Sequence, residues 1–320
     1  MATPERILLY FPGALGDTLL LRPVWWRLKK AFPHISVDLA ANAGALPLLR
    51  HELGQTFSAG ARDFLHIFSP YSDWPEPLRK RMLSYRALAI WSGGYPEVSL
   101  ESCGSAKVLR APSRPPEGKR VHASAWLLET LKTGRILPGS RWRYGDIPPL
   151  EIPRPLADPF RARMPFVVIH PGSGSPRKNW PLPGFLCLAG AVQAELGLKI
   201  VWLLGPGEEE LEAELPPGAF VFQKRPLLEV ASLLQKASAV IGNDSGIAHL
   251  AGQLGVLAVV LFVSTDPAVW HPLGSAVHVL TSAEVRQPEI RGIHFHILPS
   301  LAPGEVLPRI LSVLKNSLEA

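Results

Sequence analysis

The fold of this chain is constrained most by an alternation of short apolar runs with amphipathic segments, which occurs twice along the sequence. Apolar strands that alternate with helices are typical of parallel sheets covered by helices on both faces. Between the two series, the stretch from Ile147 to Pro165 is dense in proline and can continue neither a helix nor a strand. The pattern therefore predicts an α/β protein with two Rossmann-like domains.

Hydrophobic periodicity places the individual elements. The predicted strands of the first series are Ile7–Phe11, Ser36–Ala40, Leu65–Phe68 and Arg86–Trp91, with Val108–Leu109 as a fifth, and its helices lie near 18–31, 76–84 and 121–133. The second series has strands at 166–170, 199–204, 219–222, 238–241 and 257–262, and helices near 183–196, 207–214, 227–236 and 245–254. A last amphipathic helix, Val306–Leu318, has Pro308 in its first turn, where proline is tolerated.

Composition favours a globular protein of the cytoplasm. Hydrophobic residues make up 47% and charged residues 19% of the 320 residues, which is typical of a folded domain. The longest apolar runs, such as Val256–Val263, are far shorter than the roughly 20 residues that span a bilayer. Asp17 interrupts any pattern of a signal peptide. Cys103 and Cys187 form no disulfide framework, and Cys187 is interpreted as a packing residue of a helix.

Charge is unevenly distributed along the chain. Residues 1–155 hold 21 Lys and Arg against 13 Asp and Glu, whereas the remainder holds 12 against 14. A basic surface of this kind can hold a phosphorylated glycolipid or an anionic membrane, and a basic surface that binds nothing remains the alternative. Because no nucleic-acid-binding module is recognised, nucleic acid is not predicted as a partner. The cations of the first part include Arg79, Lys80, Arg81, Arg110, Arg114, Lys119, Arg120, Arg135, Arg141 and Arg143.

The most informative polar segment follows the apolar run Ala237–Ile241 and opens a predicted helix. It contains Asp244, Ser245 and Gly246, with His249 one turn into the helix. Free backbone N–H groups and the helix dipole at such a position favour a phosphate. An ordinary N-cap by the aspartate or the serine explains the same residues. Both interpretations stay open at this point.

A second segment follows the first predicted strand. Gly13 and Gly16 allow the backbone to turn tightly and to approach a ligand closely. Asp17 stands at the junction of strand and helix, where open α/β sheets bind their ligands. The alternative for this aspartate is an acidic residue in the first turn of a helix.

A third segment follows the strand at 166–170. Ser173 and Gly174 expose backbone donors, and Lys178 supplies a mobile cation suited to a phosphoryl oxygen. Solvated surface charge is the alternative for Arg177 and Lys178. No Gly-Lys-Ser/Thr sequence ends the loop, so a nucleotide-hydrolysing P-loop is not expected.

Together these segments resemble glycosyltransferase family 9, the bacterial heptosyltransferases of the lipopolysaccharide inner core. Residues from about 55 to 150 match no pattern of the family. The likeness consists of Gly-Ala-Leu-Gly-Asp at 13–17, His-Pro-Gly-Ser at 170–173, Lys-x-Trp-Pro at 178–181, Asn-Asp-Ser-Gly at 243–246 with His249, and Leu-Phe at 261–262 leading to Thr-Asp-Pro at 265–267.

The resemblance implies a GT-B fold, in which two Rossmann-like domains face each other across a cleft. It divides the chain into an acceptor-binding domain, 1–155, a nucleotide-sugar-binding domain, 156–300, and a C-terminal helix, 301–320, for which packing back on the first domain is one option. It also implies transfer with inversion and without a metal, and the eight aspartates form no Asp-x-Asp motif. No cofactor is expected, and an ADP-sugar is the expected donor.

The resemblance also assigns roles to single residues. Asp17 would be the catalytic base, and Lys178 would stabilise the leaving diphosphate together with the backbone at Ser173 and Gly174 and the helix that begins at Ser245 and Gly246. Asp244 would contact sugar hydroxyls or orient its loop. His249 would contact a phosphate or the sugar, with a buried packing histidine as the alternative.

Two further residues are assigned to the nucleotide. Glu208 resembles the ribose-binding glutamate of the family, although a solvated acidic helix start is the more common reason for a run such as Glu208, Glu209 and Glu210. Arg225 stands where contacts to the base are expected, and its chemistry does not distinguish adenine from uracil.

Three functions follow from these residues. The preferred one is transfer of a heptose or related sugar from an ADP-sugar to a phosphorylated glycolipid acceptor, with peripheral association at the inner face of the cytoplasmic membrane. A nucleotide-sugar epimerase or hydrolase of the same architecture is the second. The third is a sugar-nucleotide-binding protein without catalytic activity. The pair His294 and His296 has no third ligand nearby in sequence, so a zinc site is not predicted.

Overall fold

A computed structural model describes residues 5–68, 73–92, 106–138, 147–152, 165–283 and 292–319. Cys103, Arg141 and Arg143, noted above from the sequence, lie outside these residues. The chain divides into two compact units, Met1–Trp142 and Arg143–Ala320. Each unit has its own parallel sheet.

The first unit is built on a five-stranded parallel sheet with the order β3-β2-β1-β4-β5. Its central strand lies between two others and is buried along most of its length. The strands are β1 (Arg6–Phe11), β2 (Ser36–Ala41), β3 (Thr56–Ser58), β4 (Ala87–Trp91) and β5 (Lys107–Ala111). The helices are α1 (Leu15–Leu19), α2 (Arg22–Ala31), α3 (Leu46–Leu49), α4 (Arg62–Leu65), α5 (Glu76–Leu83) and α6 (Ala123–Thr133), with 3₁₀ turns at Arg50–Glu52 and His66–Phe68.

The second unit has a seven-stranded parallel sheet with the order β12-β11-β10-β9-β6-β7-β8. Its strands are β6 (Phe166–His170), β7 (Lys199–Leu204), β8 (Phe220–Gln223), β9 (Ala239–Asn243), β10 (Ala258–Phe262), β11 (Val277–Thr281) and β12 (Ile293–Ile297). Its helices are α7 (Leu182–Leu196), α8 (Leu227–Lys236), α9 (Gly246–Gln253), α10 (Pro267–Trp270) and α11 (Pro303–Leu318), with 3₁₀ turns at Pro176–Lys178 and Glu209–Glu214.

An apolar core of buried side chains holds the second unit together. β6, β9 and β10 are buried at every residue because helices cover both faces of the central strands. α7 and α11 pack on one face through residues such as Val192, Ile310 and Leu314. α7 ends where Gly197 adopts a φ of 64°, a left-handed conformation that glycine reaches without steric cost.

The structure corrects several of the predicted elements: the helix near 18–31 is divided into α1 and α2, and the helix near 207–214 is the 3₁₀ turn Glu209–Glu214. Residues 65–68 are not a strand: α4 ends at Leu65 and a 3₁₀ turn follows at His66–Phe68. A short apolar run does not distinguish a strand from a buried helical turn, which is why the prediction was wrong. Pro308 lies inside α11, which begins at Pro303, and not in its first turn.

The proline-dense stretch attaches to the second unit where it is described. The side chain of Leu150 is buried, and its backbone N–H donates to the carbonyl of Gln253 at 2.6 Å. The division between the units accordingly falls at Trp142 and Arg143, earlier than the predicted position after residue 155. Residues 153–164 lie outside the described part of the chain.

The predicted fold class is confirmed: the protein has two α/β units with parallel sheets. Among the residues that the structure describes, no helix is long and apolar enough to cross a membrane.

Candidate active site

Polar residues collect at the carboxyl edge of the second sheet, where β6, β9 and β10 end. Carboxyl ends of parallel strands lie at one edge of a sheet, and ligands of open α/β folds bind there. The loop after β6 brings Lys178, the end of β9 brings Asp244, and the loop after β10 brings Thr265. These three side chains meet although they are far apart in sequence.

Asp244 is the centre of this group. Lys178 Nζ and Thr265 Oγ1 both donate to Asp244 Oδ2, each at 2.8 Å. His249 Nε2 lies 3.8 Å from Asp244 Oδ1. The carboxylate is buried, whereas the lysine side chain is 32% exposed. The sequence-based alternative of solvated surface charge therefore does not hold for Lys178.

The partners of Asp244 determine its charge. Burial alone would raise the pKa of this carboxyl group, but the neighbouring His249 and Lys178 side chains outweigh it. The pKa of Asp244 is lowered to about 2. The group is consequently a buried anion at neutral pH that holds a lysine ammonium beside it.

The start of α9 supplies neutral donors next to this group. Ser245 is the N-cap, and its Oγ accepts from the N–H of Ala248 at 3.3 Å. The N–H groups of Gly246 and Ile247 belong to the first turn and have no acceptor within the helix. The N-cap interpretation of Ser245 is thus confirmed, and the free donors that suit a phosphate are present as well.

His249 is held at this helix start. Its side chain is buried, and its Nδ1 has no hydrogen-bond partner among the described residues. Its burial agrees with a packing histidine, whereas contact with a phosphate or the sugar stays a prediction.

The loop after β6 is held by hydrogen bonds of its own. Ser173 Oγ lies 2.7 Å from the carbonyl of Ser175 and 2.6 Å from Asn179 Oδ1, so this hydroxyl serves the loop. Gly174 is exposed, and a Cβ there would meet no atom within 4 Å. What these two residues can offer a ligand is therefore their backbone.

Asn243 joins this loop to the end of β9. Its Oδ1 accepts from the N–H of Trp180 at 2.8 Å, and its Nδ2 donates to the carbonyl of Pro171 at 2.6 Å. Asn243 is fully buried, so these bonds set the distance between the Lys178 loop and the start of α9. No role for Asn243 was predicted from the sequence.

The surroundings of Glu208 differ from those of its acidic neighbours Glu209 and Glu210. Its Oε2 accepts from the N–H of Gly205 at 2.8 Å and lies 3.6 Å from His170 Nδ1. The carboxylate lies directly against Gly172, where any Cβ would overlap it. Glu209 and Glu210 are exposed, so the solvated-run interpretation applies to them and not to Glu208.

An apolar cavity of about 220 Å³ opens between the ends of β7 and β8, and Glu209 is the acidic residue in its lining. The Arg225 guanidinium lies 5.8 Å from the centre of the Phe222 ring, and Arg225 NH1 is 3.7 Å from Glu229 Oε2. The cavity has the size and apolar character for a planar ring system. Its lining includes His170, Leu204, Gly205, Phe222, Arg225 and Ile247.

The first unit holds Asp17 at the carboxyl end of β1. Asp17 Oδ2 accepts from the N–H of Ala14 at 3.3 Å, as expected for an acidic residue in the first turn of α1. The same carboxylate lines a small polar pocket of about 120 Å³ together with Trp91 and Arg114. Asp17 is therefore an acidic residue in the first turn of a helix, and its carboxylate also lines a pocket.

The two glycines of this segment differ. A Cβ on Gly13 would overlap the Phe11 ring, so glycine is required where the loop passes Asp17. Gly16 is buried within α1 and does not belong to the loop, contrary to the prediction.

Three features noted in the sequence lie away from these sites. Cys187 is exposed on α7, so its interpretation as a packing residue was wrong. His294 and His296 of β12 stack with a third imidazole, His278 of β11, and His278 Nδ1 is 2.9 Å from His296 Nε2. No group of three histidine, cysteine or acidic side chains in the described ranges is arranged to hold a metal ion.

Known proteins similar to this chain are glycosyltransferases. The family model of glycosyltransferase family 9 (heptosyltransferase) matches residues 141–293. Lipopolysaccharide heptosyltransferase 3 of Escherichia coli is 22% identical over 299 residues, which cover 80% of this chain and 83% of that protein. The chain is thus similar to the heptosyltransferases of glycosyltransferase family 9, as the sequence motifs predicted.

Solved structures agree with the family 9 fold. A family 9 glycosyltransferase from Veillonella parvula is similar with a TM-score of 0.70 at 16% identity, over 100% of this chain and 99% of that one. The E. coli heptosyltransferase WaaC with ADP is similar with a TM-score of 0.64 at 16% identity, over 98% and 99%. The predicted resemblance to the family and the fold shared with its solved members are thereby confirmed, and the comparisons support glycosyltransferase activity.

Proposed function

We propose that this protein transfers a heptose, or a related sugar, from an ADP-sugar to a lipopolysaccharide core or similar glycan acceptor. One observation supports the donor above all. Lys178 and the free N–H groups of α9 lie at the same sheet edge as an apolar cavity of the size of a nucleobase. A nucleoside diphosphate needs this combination of cationic, amide and apolar groups.

The nucleotide can be placed on these groups part by part. The base would enter the cavity beside Phe222 and Arg225, and the ribose hydroxyls would donate to Glu208. The diphosphate would accept from Lys178, from the backbone at Ser173 and Gly174, and from the N–H groups at the start of α9. Adenine is proposed as the base because the E. coli relative WaaC was solved with ADP.

The transfer step follows from the chemistry of a diphosphate leaving group. Asp17 accepts the proton of the acceptor hydroxyl, the oxygen attacks the anomeric carbon, and the bond from that carbon to the diphosphate oxygen breaks with inversion. General-base catalysis of this kind contributes about 10²–10⁴-fold to a rate. The negative charge that develops on the leaving diphosphate is stabilised by Lys178 and the α9 amides, so we propose that no divalent cation is required.

The acceptor is proposed to be a phosphorylated glycolipid that the first unit binds. The excess of Lys and Arg over acidic residues in 1–155 supports an anionic acceptor and peripheral association with the inner face of the cytoplasmic membrane. The pocket that contains Asp17 also contains Arg114, a cation suited to an acidic group of the acceptor.

The substitution Asp17→Asn tests the catalytic step. It keeps the shape of the side chain and removes its basicity, so transfer measured by mass spectrometry with ADP-heptose should fall by about 10²–10⁴-fold. The affinity for ADP should stay within about twofold, since Asp17 does not belong to the second unit. Loss of binding in parallel with turnover would exclude a base at this position.

A thermal-shift screen of ADP, UDP and GDP tests the donor class, because a ligand that binds only the folded state raises its apparent stability. ADP is expected to give the largest shift. Incubation with ADP-heptose alone is the companion assay. Consumption of the donor without an acceptor would favour a nucleotide-sugar hydrolase or epimerase instead.

A further inference from the structure

The carboxylate of Asp244 receives two donors on one oxygen, and this arrangement raises a question about Lys178. Lys178 Nζ and Thr265 Oγ1 both donate to Asp244 Oδ2 at 2.8 Å. A lysine that is bound to a buried carboxylate is partly neutralised by it. A diphosphate must therefore compete with Asp244 for the same ammonium group.

The three side chains differ in their freedom to move. Asp244 directly follows β9 and its side chain is 4% exposed, so the carboxylate is fixed in the interior. Lys178 is 32% exposed and sits on a long flexible stem. Thr265 is short and directly precedes Asp266, which caps α10 by accepting from the N–H of Ala268 at 2.9 Å.

The cost of moving Lys178 depends on what stays with Asp244. A buried carboxylate that loses a donor pays a desolvation penalty, which is larger for a charged group than for a neutral one. The Thr265 hydroxyl remains bonded to Oδ2 when the ammonium turns toward a phosphate. The His249 imidazole also remains beside the carboxylate, because its Nε2 lies 3.8 Å from the other oxygen, Asp244 Oδ1.

We propose that Thr265 is a positioning residue for diphosphate binding: its hydroxyl keeps Asp244 hydrogen-bonded while Lys178 is shared with, or passed to, the diphosphate. Thr265 acts through Asp244 and Lys178 and contacts no substrate itself. The inference rests on the proposed function only in that the second unit binds a diphosphate. It does not depend on the identity of the base, the sugar or the acceptor.

The substitution Thr265→Val tests this role because it keeps the branched shape and removes the hydroxyl. The dissociation constant of inorganic pyrophosphate, measured by calorimetry, is expected to rise about 10-fold, because one hydrogen bond to a charged group is lost. Thr265→Ser restores the donor and is expected to remain within about twofold of the original chain. Thr281→Val, a buried threonine at the end of β11, is the matched control and should not change pyrophosphate binding.

A double-mutant cycle separates positioning from a structural role. In a Lys178→Met background, Thr265→Val should weaken ADP binding no further, because the residue acts through Lys178. Adenosine, which lacks the diphosphate, should bind the Thr265→Val chain as well as the original one. Equal weakening of ADP and adenosine, or unchanged pyrophosphate and ADP affinity in Thr265→Val, would overturn the proposal.

The same titrations distinguish this inference from the proposed donor. If pyrophosphate binds in a Thr265-dependent manner while ADP binds no better than UDP or GDP, the role of Thr265 stands and the adenine donor fails. If the original chain binds neither pyrophosphate nor ADP at millimolar concentration, the diphosphate site and the role of Thr265 are both excluded.

Discussion

Two glycines of the loop after β6 look equivalent in sequence and differ completely in their surroundings. Gly172 lies against the Glu208 carboxylate, which leaves no room for a Cβ, whereas Gly174 borders open space. Neither needs a left-handed backbone, so the difference is one of contact alone. Gly172 is therefore the residue that allows Glu208 to turn back toward His170 and Gly205.

At the residue scale, Gly172→Ala is expected to displace the Glu208 carboxylate. If Glu208 binds the ribose, the ADP affinity measured by calorimetry should fall about 10-fold, since a charge-assisted hydrogen bond contributes on the order of 1.5–3 kcal/mol. The affinity for pyrophosphate, which has no ribose, should change little. Gly174→Ala is the matched control and should alter neither; a similar loss in both variants would contradict the assignment of Glu208.

At the scale of elements, α2 is fixed to the first unit by a buried ion pair. Arg22 is paired with Glu52, and the indole N–H groups of Trp25 and Trp26 donate to Glu52 Oε2 at 3.0 and 3.2 Å. Lys29 also donates to the Glu52 carbonyl. Glu52, at the end of the 3₁₀ turn Arg50–Glu52, thereby contacts four side chains on one face of α2.

Replacement of Glu52 by alanine should remove the carboxylate partner of the buried Arg22 guanidinium. Loss of one partner of a buried pair costs about 3–5 kcal/mol, so the free energy of unfolding in urea should fall by that amount. Glu76→Ala removes a carboxylate from the exposed pair with Lys80 and should change stability little. Equal effects of the two substitutions would show that the Glu52 network is not specially stabilising.

The edge of the second sheet contains an element that responds to acid. Burial, followed by the charges of neighbouring histidines, lowers the pKa of His278 to about 4. Burial, then Arg309 and His294, lowers that of His296 to about 4. The unfolded chain, with ordinary values near 6.5, binds protons first as the pH falls. Stability is therefore lost between about pH 6.5 and pH 4, and is not affected by these groups above that range.

The double substitution of His278 and His296 by glutamine should reduce this pH dependence. Both side chains are only half-buried, so after solvent screening the difference is on the order of 1–2 kcal/mol for each histidine. Thermal unfolding at pH 7.5 and pH 5 measures it. His271, whose pKa burial also lowers to about 4, should maintain part of the dependence. An unchanged difference between the two pH values would contradict the assignment.

At the scale of the whole molecule, the chain comprises two units with separate sheets. The donor groups proposed here all belong to the second unit, and Asp17 belongs to the first. Hydrogen exchange measured with saturating ADP should accordingly show its strongest protection in the second unit, at 171–178, 205–208, 222–227 and 244–249. Adenosine, which lacks the diphosphate, should protect 205–208 and 222–227 more than 171–178 and 244–249. Strongest protection at 13–17 would contradict the placement of the donor.

Prediction from sequence succeeded best where a strand is buried on both faces. β6, β9 and β10 were predicted because each contains a run of consecutive apolar residues, which is typical of parallel strands covered on both faces. β3 has three residues, and β12 carries histidines at an edge, so neither has such a pattern. Pro308 was placed in a first turn because periodicity indicated a later start for α11 than the one that packing against α7 allows.

The sequence by itself determined the type of fold, the resemblance to the family and most of the residues of the candidate site, because short-range patterns of apolar residues, glycine and charge specify where strands end and helices begin. Only the tertiary structure decided what those residues do to one another. Lys178, Asp244 and Thr265 are joined through one carboxylate oxygen, and Asn243 links two loops. Such contacts arise because neighbouring parallel strands bring distant segments to one edge, a proximity that no local pattern records.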